Sequence, residues 1–97
     1  MLISTGEVSD VLTTSAVIKG YIVSEGEGLK QYGHCYSKTP DPTILDNKTV
    51  SGSTIGLGTF TSLIINLEPG TKYYVRAYLS NNSKTIYGNE ITFITAE

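Results

Sequence analysis

The chain has no tryptophan, one cysteine, one histidine and three prolines, and each shortage removes a class of function. A single thiol, Cys35, cannot close an internal disulfide, and without companion ligands it cannot hold a structural zinc ion. The cysteine count leaves the compartment open. With His34 the only histidine, a hydrolytic triad has one candidate base and no G-x-S-x-G nucleophile elbow to serve. The basic residues Lys19, Lys30, Lys38, Lys48, Lys72, Arg76 and Lys84 never cluster and the formal charge is −2, so the stripe that nucleic acid requires is missing. No run of about 18 apolar residues exists, so no membrane-inserted helix is expected, and no signal-peptide pattern is visible. Met1 leads directly into strand-like sequence, which reads as an excised piece or a small intracellular protein. Alanine occurs only at Ala16, Ala77 and Ala96, and no 3.6-residue apolar pattern supports a helix.

What remains is rich in Thr, Ser, Ile, Val and Tyr, in short alternating runs broken by Gly, Asn and Pro, which is an all-β pattern. Ninety-seven residues make one domain, 1–97. A chain of that size buries roughly 60–70% of its unfolded surface, which leaves little room for an internal ligand cavity. We letter the expected strands A (Ile3 to Ser9), B (Thr13 to Val23), C (Gln31 to Ser37), C′ (Lys48 to Ser51), E (Gly58 to Ile65), F (Thr71 to Ser80) and G (Thr85 to Thr95). Turn signals separate them: Glu25 to Gly28 after B, the proline-broken Lys38 to Thr43 after C, and Asn81 to Lys84 between F and G. Seven short strands in one small domain predict an immunoglobulin-like two-sheet sandwich.

The stretch Leu67-Glu68-Pro69-Gly70-Thr71-Lys72-Tyr73, followed by the alternating Val75-Arg76-Ala77-Tyr78, resembles the E–F corner and strand F of fibronectin type III domains. The stretches Gly33 to Thr49 and Tyr87 to Thr95 are similar to fibronectin-type-III-like modules of large surface and secreted proteins in Bacteroidetes-type bacteria. The resemblance spans roughly Thr5 to Ala96. It implies sheets A-B-E and C′-C-F-G, an extracellular or cell-surface setting, and structural roles for Leu67, Pro69 and Tyr73. Tyr73 becomes the corner tyrosine, its ring packed inside and its hydroxyl bonded to backbone a few residues upstream. Gly20 departs from the family: many members carry a core tryptophan there, so another large residue must fill that volume.

The period of two assigns the faces. Tyr73, Val75, Ala77 and Leu79 point inward on F, as do Ala16, Ile18, Gly20 and Ile22 on B, Phe60 and Ile64 on E, and Ile91 and Phe93 on G. Strand C is ambiguous: Gly33 and Cys35 share one face, Tyr32, His34 and Tyr36 the other. Cys35 is favoured inside as a small buried hydrophobe, leaving His34 on the surface beside tyrosines.

Catalysis is not expected. Glu25 and Glu27 share one solvated turn, and Asp41 and Asp46 lack the spacing of a calcium loop. No cofactor is implied. Two functions remain. The first is a non-catalytic structural or spacer module, docking a neighbouring domain, a protein partner or a second copy. Its candidate surface is an outward apolar patch on B and E: Val17, Tyr21, Val23, Leu63 and Ile65. A bulge near Ser62 would instead turn Leu63 and Ile65 inward. The alternative is a carbohydrate- or protein-binding module using an outward aromatic face of Tyr74, Arg76, Tyr78 and Tyr36. Cross-strand aromatic pairing would produce the same row without any ligand.

Overall fold

The computed structural model describes residues 2–24, 30–50, 58–81 and 84–97. The turn expected at Glu25 to Gly28, the Ser51 end of strand C′ and the tip of the Asn81 to Lys84 turn lie outside them. The described strands are β1 (Leu2–Ser9), β2 (Ala16–Ser24), β3 (Lys30–Ser37), β4 (Asn47–Lys48), β5 (Gly58–Ile64), β6 (Lys72–Asn81), β7 (Thr85–Tyr87) and β8 (Ile91–Ile94). All pairing is antiparallel, in a sheet β1-β2-β5 and a second sheet β4-β3-β6-β7 with β8 also on β6. This is the all-β two-sheet sandwich with the expected strand order.

Strand G, expected as one strand, is two. The break at Gly88-Asn89-Glu90 serves the other sheet. Asn89 Oδ1 accepts the Thr5 N–H at 3.0 Å, and the Ala77 N–H donates to Thr5 Oγ1 at 2.8 Å. A Cβ on Gly88 would lie 2.7 Å from the Thr5 nitrogen. The last edge of one sheet is thus interrupted so that β1 can bond across to β6, and the ladder groups freed there are satisfied by side chains.

Alternation builds the core. Ala16, Ile18, Ile64, Leu67, Tyr73, Val75 and Phe93 form one buried cluster, with Tyr36 packed against it. Ile3, Ile22, Ala77 and Leu79 form a second, with Tyr32 and Phe60 against it. The volume left by Gly20 is filled from β5. A Cβ there would sit 2.6 Å from Phe60 Cε1, and the Phe60 ring meets Tyr32 edge-on at 4.9 Å. The phenylalanine therefore lies flat on the backbone where a side chain at position 20 would stand.

At the corner, the Glu68 N–H donates to the Tyr73 hydroxyl at 2.8 Å, and the ring stacks on Phe93 at 5.8 Å. Gly70, at φ +61°, takes the left-handed backbone that a glycine adopts without cost. Tyr73→Phe leaves the Glu68 N–H without its acceptor and is expected to cost about 1–3 kcal/mol. Urea melts of the two proteins check this, and coincident curves would remove the corner bond from the account.

Candidate interaction surface

Two outer faces were open to the sequence, and the structure treats them differently. On the β3–β6 sheet the alternation puts Tyr74, Arg76 and Tyr78 outward, but the segment from Pro40 to Thr49 lies over that face. Tyr78 is fully buried, and its hydroxyl donates to the Thr49 carbonyl at 2.7 Å. Arg76 donates through Nε and Nη2 to the Pro42 carbonyl at 2.9 and 2.6 Å, with its guanidinium 4.2 Å from the Tyr87 ring centre. Tyr87 accepts the Ile44 N–H at 3.1 Å. Burial pushes the Tyr78 phenol up to about 12. The expected exposed aromatic face is thus corrected: Tyr78 and Arg76 fasten a covering segment. Tyr36 is partly buried against the core, and Tyr74 keeps a half-buried ring, with the Lys72 ammonium 5.2 Å from it.

Gly33 is the reason the cover can close. A Cβ there would lie 2.8 Å from the Thr49 carbonyl carbon, so only a glycine admits the Thr49 backbone. Thr49 then pairs with β3: its N–H donates to the His34 carbonyl at 2.8 Å, and its Oγ1 accepts the His34 N–H at 2.9 Å.

Strand C departs from both expectations: His34 is reversed, and Cys35 is buried as expected but on the other face. His34, expected at the surface, is completely buried between the positions where Tyr32 and Tyr36 meet the two core clusters. Its Nδ1 lies 2.7 Å from Ser62 Oγ, and its Nε2 lies 2.9 Å from the Lys19 carbonyl. The carbonyl can only accept, so Nε2 carries the proton and Nδ1 accepts from Ser62, which in turn accepts from Thr49 Oγ1 at 3.0 Å. A neutral imidazole satisfies every partner. Burial lowers its pKa to about 4, against a smaller opposing effect of the Lys19 carbonyl. A base wired this way links β3 to β2 and β5 and has no exposure to solvent.

Cys35, expected inside, is buried on the opposite face, beneath the covering segment. Desolvation pushes its thiol up to about 12 despite nearby Arg76 and Lys48, the reverse of an activated thiolate. Thermal midpoints measured with and without reductant are therefore expected to coincide. A lower midpoint under reductant would mean that Cys35 reaches solvent and cross-links two chains.

The β1-β2-β5 sheet is the face left open. Leu63 and Ile65 are 60% and 52% exposed and Val23 is 54% exposed, so no bulge turns Leu63 and Ile65 inward. The five side chains do not form one patch, however. Val17 stands opposite Leu63, Lys19 opposite Thr61 and Tyr21 opposite Thr59, so a polar rung divides the Val17–Leu63 pair from Tyr21. The Tyr21 ring also turns toward β1, where a Cβ on Gly6 would lie 2.8 Å from its Cε2. The apolar centre is Val17, Leu63 and Ile65.

Ile65 borders a solvent-open cleft of about 590 Å³, lined also by Tyr36, Lys38, Leu45, Glu68 and Tyr73. Lys38 and Glu68 form an ion pair across it, both largely exposed, of the kind that contributes little to stability. Leu45 on its rim is 92% exposed. The sequence reading missed this cleft because its walls come from four separated stretches. Among the described residues, no group of three or more His, Cys, Asp or Glu is placed to hold a metal. No described helix is long and apolar enough to cross a membrane.

No protein-family profile and no curated protein sequence matches this chain. Solved structures do share its fold. The sensor domain of the anti-sigma factor RsgI4 in Pseudobacteroides cellulosolvens superposes with a TM-score of 0.68 at 22% identity, over 98% of this chain and 93% of that one. A solution structure of the same sensor domain gives a TM-score of 0.71 at 19% identity, covering 98% and 74%. The fibronectin type III domain of human KIAA0970 protein gives 0.66 at 17% identity, covering 97% and 72%. Identities this low carry the fold alone: a fibronectin type III-like β-sandwich.

Proposed function

We propose that this chain is a structural or spacer module of a larger bacterial surface or secreted protein. It meets a neighbouring domain or a protein partner through the outer face of the β1-β2-β5 sheet. The observation that carries this reading is the contrast between the two faces. Tyr78 and Arg76 of β6 are consumed in fastening the Pro40 to Thr49 cover, while Leu63 and Ile65, exposed beside the half-buried Val17, have no such cover among the described residues. Exposed apolar side chains grouped on one face commonly mark a contact site. The sequence resemblance to modules of bacterial surface proteins supports the extracellular setting, and the sandwich neighbours support a role without chemistry. A glycan-binding reading through Tyr74, Arg76, Tyr78 and Tyr36 loses its stacking surface under the cover.

The test compares methyl NMR spectra of this chain alone and within its full open reading frame, with a soluble paramagnetic agent reporting exposure. The Leu63 and Ile65 methyls are expected to shift and to become protected in the longer protein. Unchanged shifts and exposure overturn the docking face, and a reading frame that ends with this chain overturns the module.

A further inference from the structure

The cleft beside Ile65 is a second candidate site, and it does not rest on the docking face. Its solvent-open volume of about 590 Å³ falls within the range of small-molecule sites, about 300–1,000 Å³. Two phenols, Tyr36 and Tyr73, line it with donors left over. Tyr73 is only 4% exposed and its hydroxyl accepts the Glu68 N–H at 2.8 Å. Among the described residues, nothing accepts that hydroxyl's own hydrogen. The Tyr36 hydroxyl has no hydrogen-bond partner among them. Burial, and then the neighbouring Tyr73, raise the Tyr36 phenol above its usual value, so it stays protonated and able to donate. The side-chain amides of Asn47 and Asn66 also line the cleft without a described partner, each able to donate and accept. A buried donor without an acceptor costs free energy, so these groups favour a ligand that brings oxygens and hydroxyl hydrogens together.

We propose that this cleft binds a neutral oligosaccharide. Charge disfavours ionic ligands. One ammonium, Lys38, stands against two carboxylates, Asp46 and Glu68, in the lining, so an anion meets net repulsion. A cation would compete with bonds already made: Glu68 pairs with Lys38, and Asp46 Oδ2 accepts the Thr43 N–H at 2.9 Å. A sugar hydroxyl both donates and accepts. It can take the phenol hydrogens and give its own to the second carboxylate oxygens and the amide carbonyls, with both existing bonds kept. The rims suit its carbon-bound hydrogens. Leu45 is 92% exposed and Ile65 52% exposed, apolar edges against which a ring face sheds water. The site shares only Tyr36 with the aromatic face lost under the cover, and it needs no exposed stacking ring. A solvent-open cleft leaves part of its ligand wet, so the expected Kd is on the order of 1 mM.

Amide NMR titrations of this chain with cellotetraose, xylotetraose, mannotetraose and maltotetraose, each to about 10 mM, cover that affinity. At least one is expected to shift Lys38, Asp46, Asn47, Asn66 and Glu68 saturably, while trigalacturonate and trilysine produce no saturable shift there. Tyr36→Phe should weaken the binding by about threefold or more, the effect of one lost hydrogen bond. Its urea melt should match wild type, because the Tyr36 hydroxyl has no described partner. Asn47→Ala, exposed in the cleft, should also weaken binding and serves if Tyr36→Phe does not fold. Tyr74→Phe, outside the cleft, should bind as wild type does. Four tetrasaccharides that all leave the cleft unshifted overturn the proposal. So does a saturable site for trigalacturonate or trilysine in their place, or binding that neither cleft variant weakens or that Tyr74→Phe abolishes.

Discussion

Replacing Gly33 by alanine is expected to unfasten the segment from Pro40 to Thr49 and to open the outer face of the β3–β6 sheet. The new Cβ would meet backbone, with the Thr49 carbonyl carbon at 2.8 Å and its Oγ1 also at 2.8 Å, so no side-chain rotation relieves the clash. Thr49 must withdraw, and four bonds go with it: its N–H to the His34 carbonyl, its Oγ1 from the His34 N–H and to Ser62 Oγ, and its carbonyl from the Tyr78 hydroxyl. Forcing one carbon into a packed site typically costs about 1–3 kcal/mol. Leaving the buried Tyr78 hydroxyl with only its longer, 3.4 Å contact to Gln31 Oε1 costs about 1–3 kcal/mol more if the segment does not re-close. The expected loss in urea melts is about 3 kcal/mol, allowing for partial relaxation. A second readout is specific to the cover. Cys35 lies beneath it, fully buried, so a thiol reagent should label the folded variant much faster than the folded wild type. Equal stability with an equally silent thiol would mean that the cover is not held where Gly33 admits it.

Acid is expected to destabilise the domain through His34. In the unfolded chain the imidazole titrates near 6.5, and in the fold burial lowers it to about 4. Between those values the unfolded chain binds a proton that the native chain refuses, so stability falls as pH falls. The neutral imidazole contributes in full above pH 6.5. The loss reaches about 2 kcal/mol between pH 7 and 5, and about 3 kcal/mol by pH 4, where native protonation begins to limit it. The geometry states the cause: Nδ1 accepts from Ser62, and a proton there sets two donors against each other. Urea melts at pH 7, 6 and 5 check the slope before ordinary carboxylates titrate. His34→Gln removes the titrating group, and its stability should be nearly flat over the same range. A flat wild type, or an equal slope in the variant, contradicts the assignment.

These effects rest on contacts that the sequence did not display. Local pattern was enough for the strands of β2 and β6, because their inward rows are apolar and their outward rows are mixed. It was enough for the Tyr73 corner, because the hydroxyl and its Glu68 donor are five residues apart in a recognisable turn. It was not enough for β3. Its two rows, Tyr-His-Tyr and Gly-Cys-Ser, are each partly polar, so alternation alone cannot choose the buried one. Both rows are buried, one by the other sheet and one by the cover. The cover depends on Gly33 meeting Thr49, and the division of strand G depends on Asn89 meeting Thr5, pairs that no local periodicity connects. The aromatic row of β6 misled for the same reason: period two sets direction from the sheet and says nothing of what later folds over it. The outward direction of Leu63 and Ile65 was legible, because β5 keeps its register. The polar rung that splits the expected patch appears only when Lys19 is set opposite Thr61.

Hydroxyl-radical footprinting, read residue by residue by mass spectrometry on the dilute native chain, tests most directly which face is open. Leu63 and Ile65 should be oxidised at rates near those of the unfolded chain, while Tyr78, with a more reactive ring, should be almost untouched. Rapid modification of Tyr78 in the folded protein, with Leu63 and Ile65 protected, would contradict the account and return the contact surface to the tyrosines.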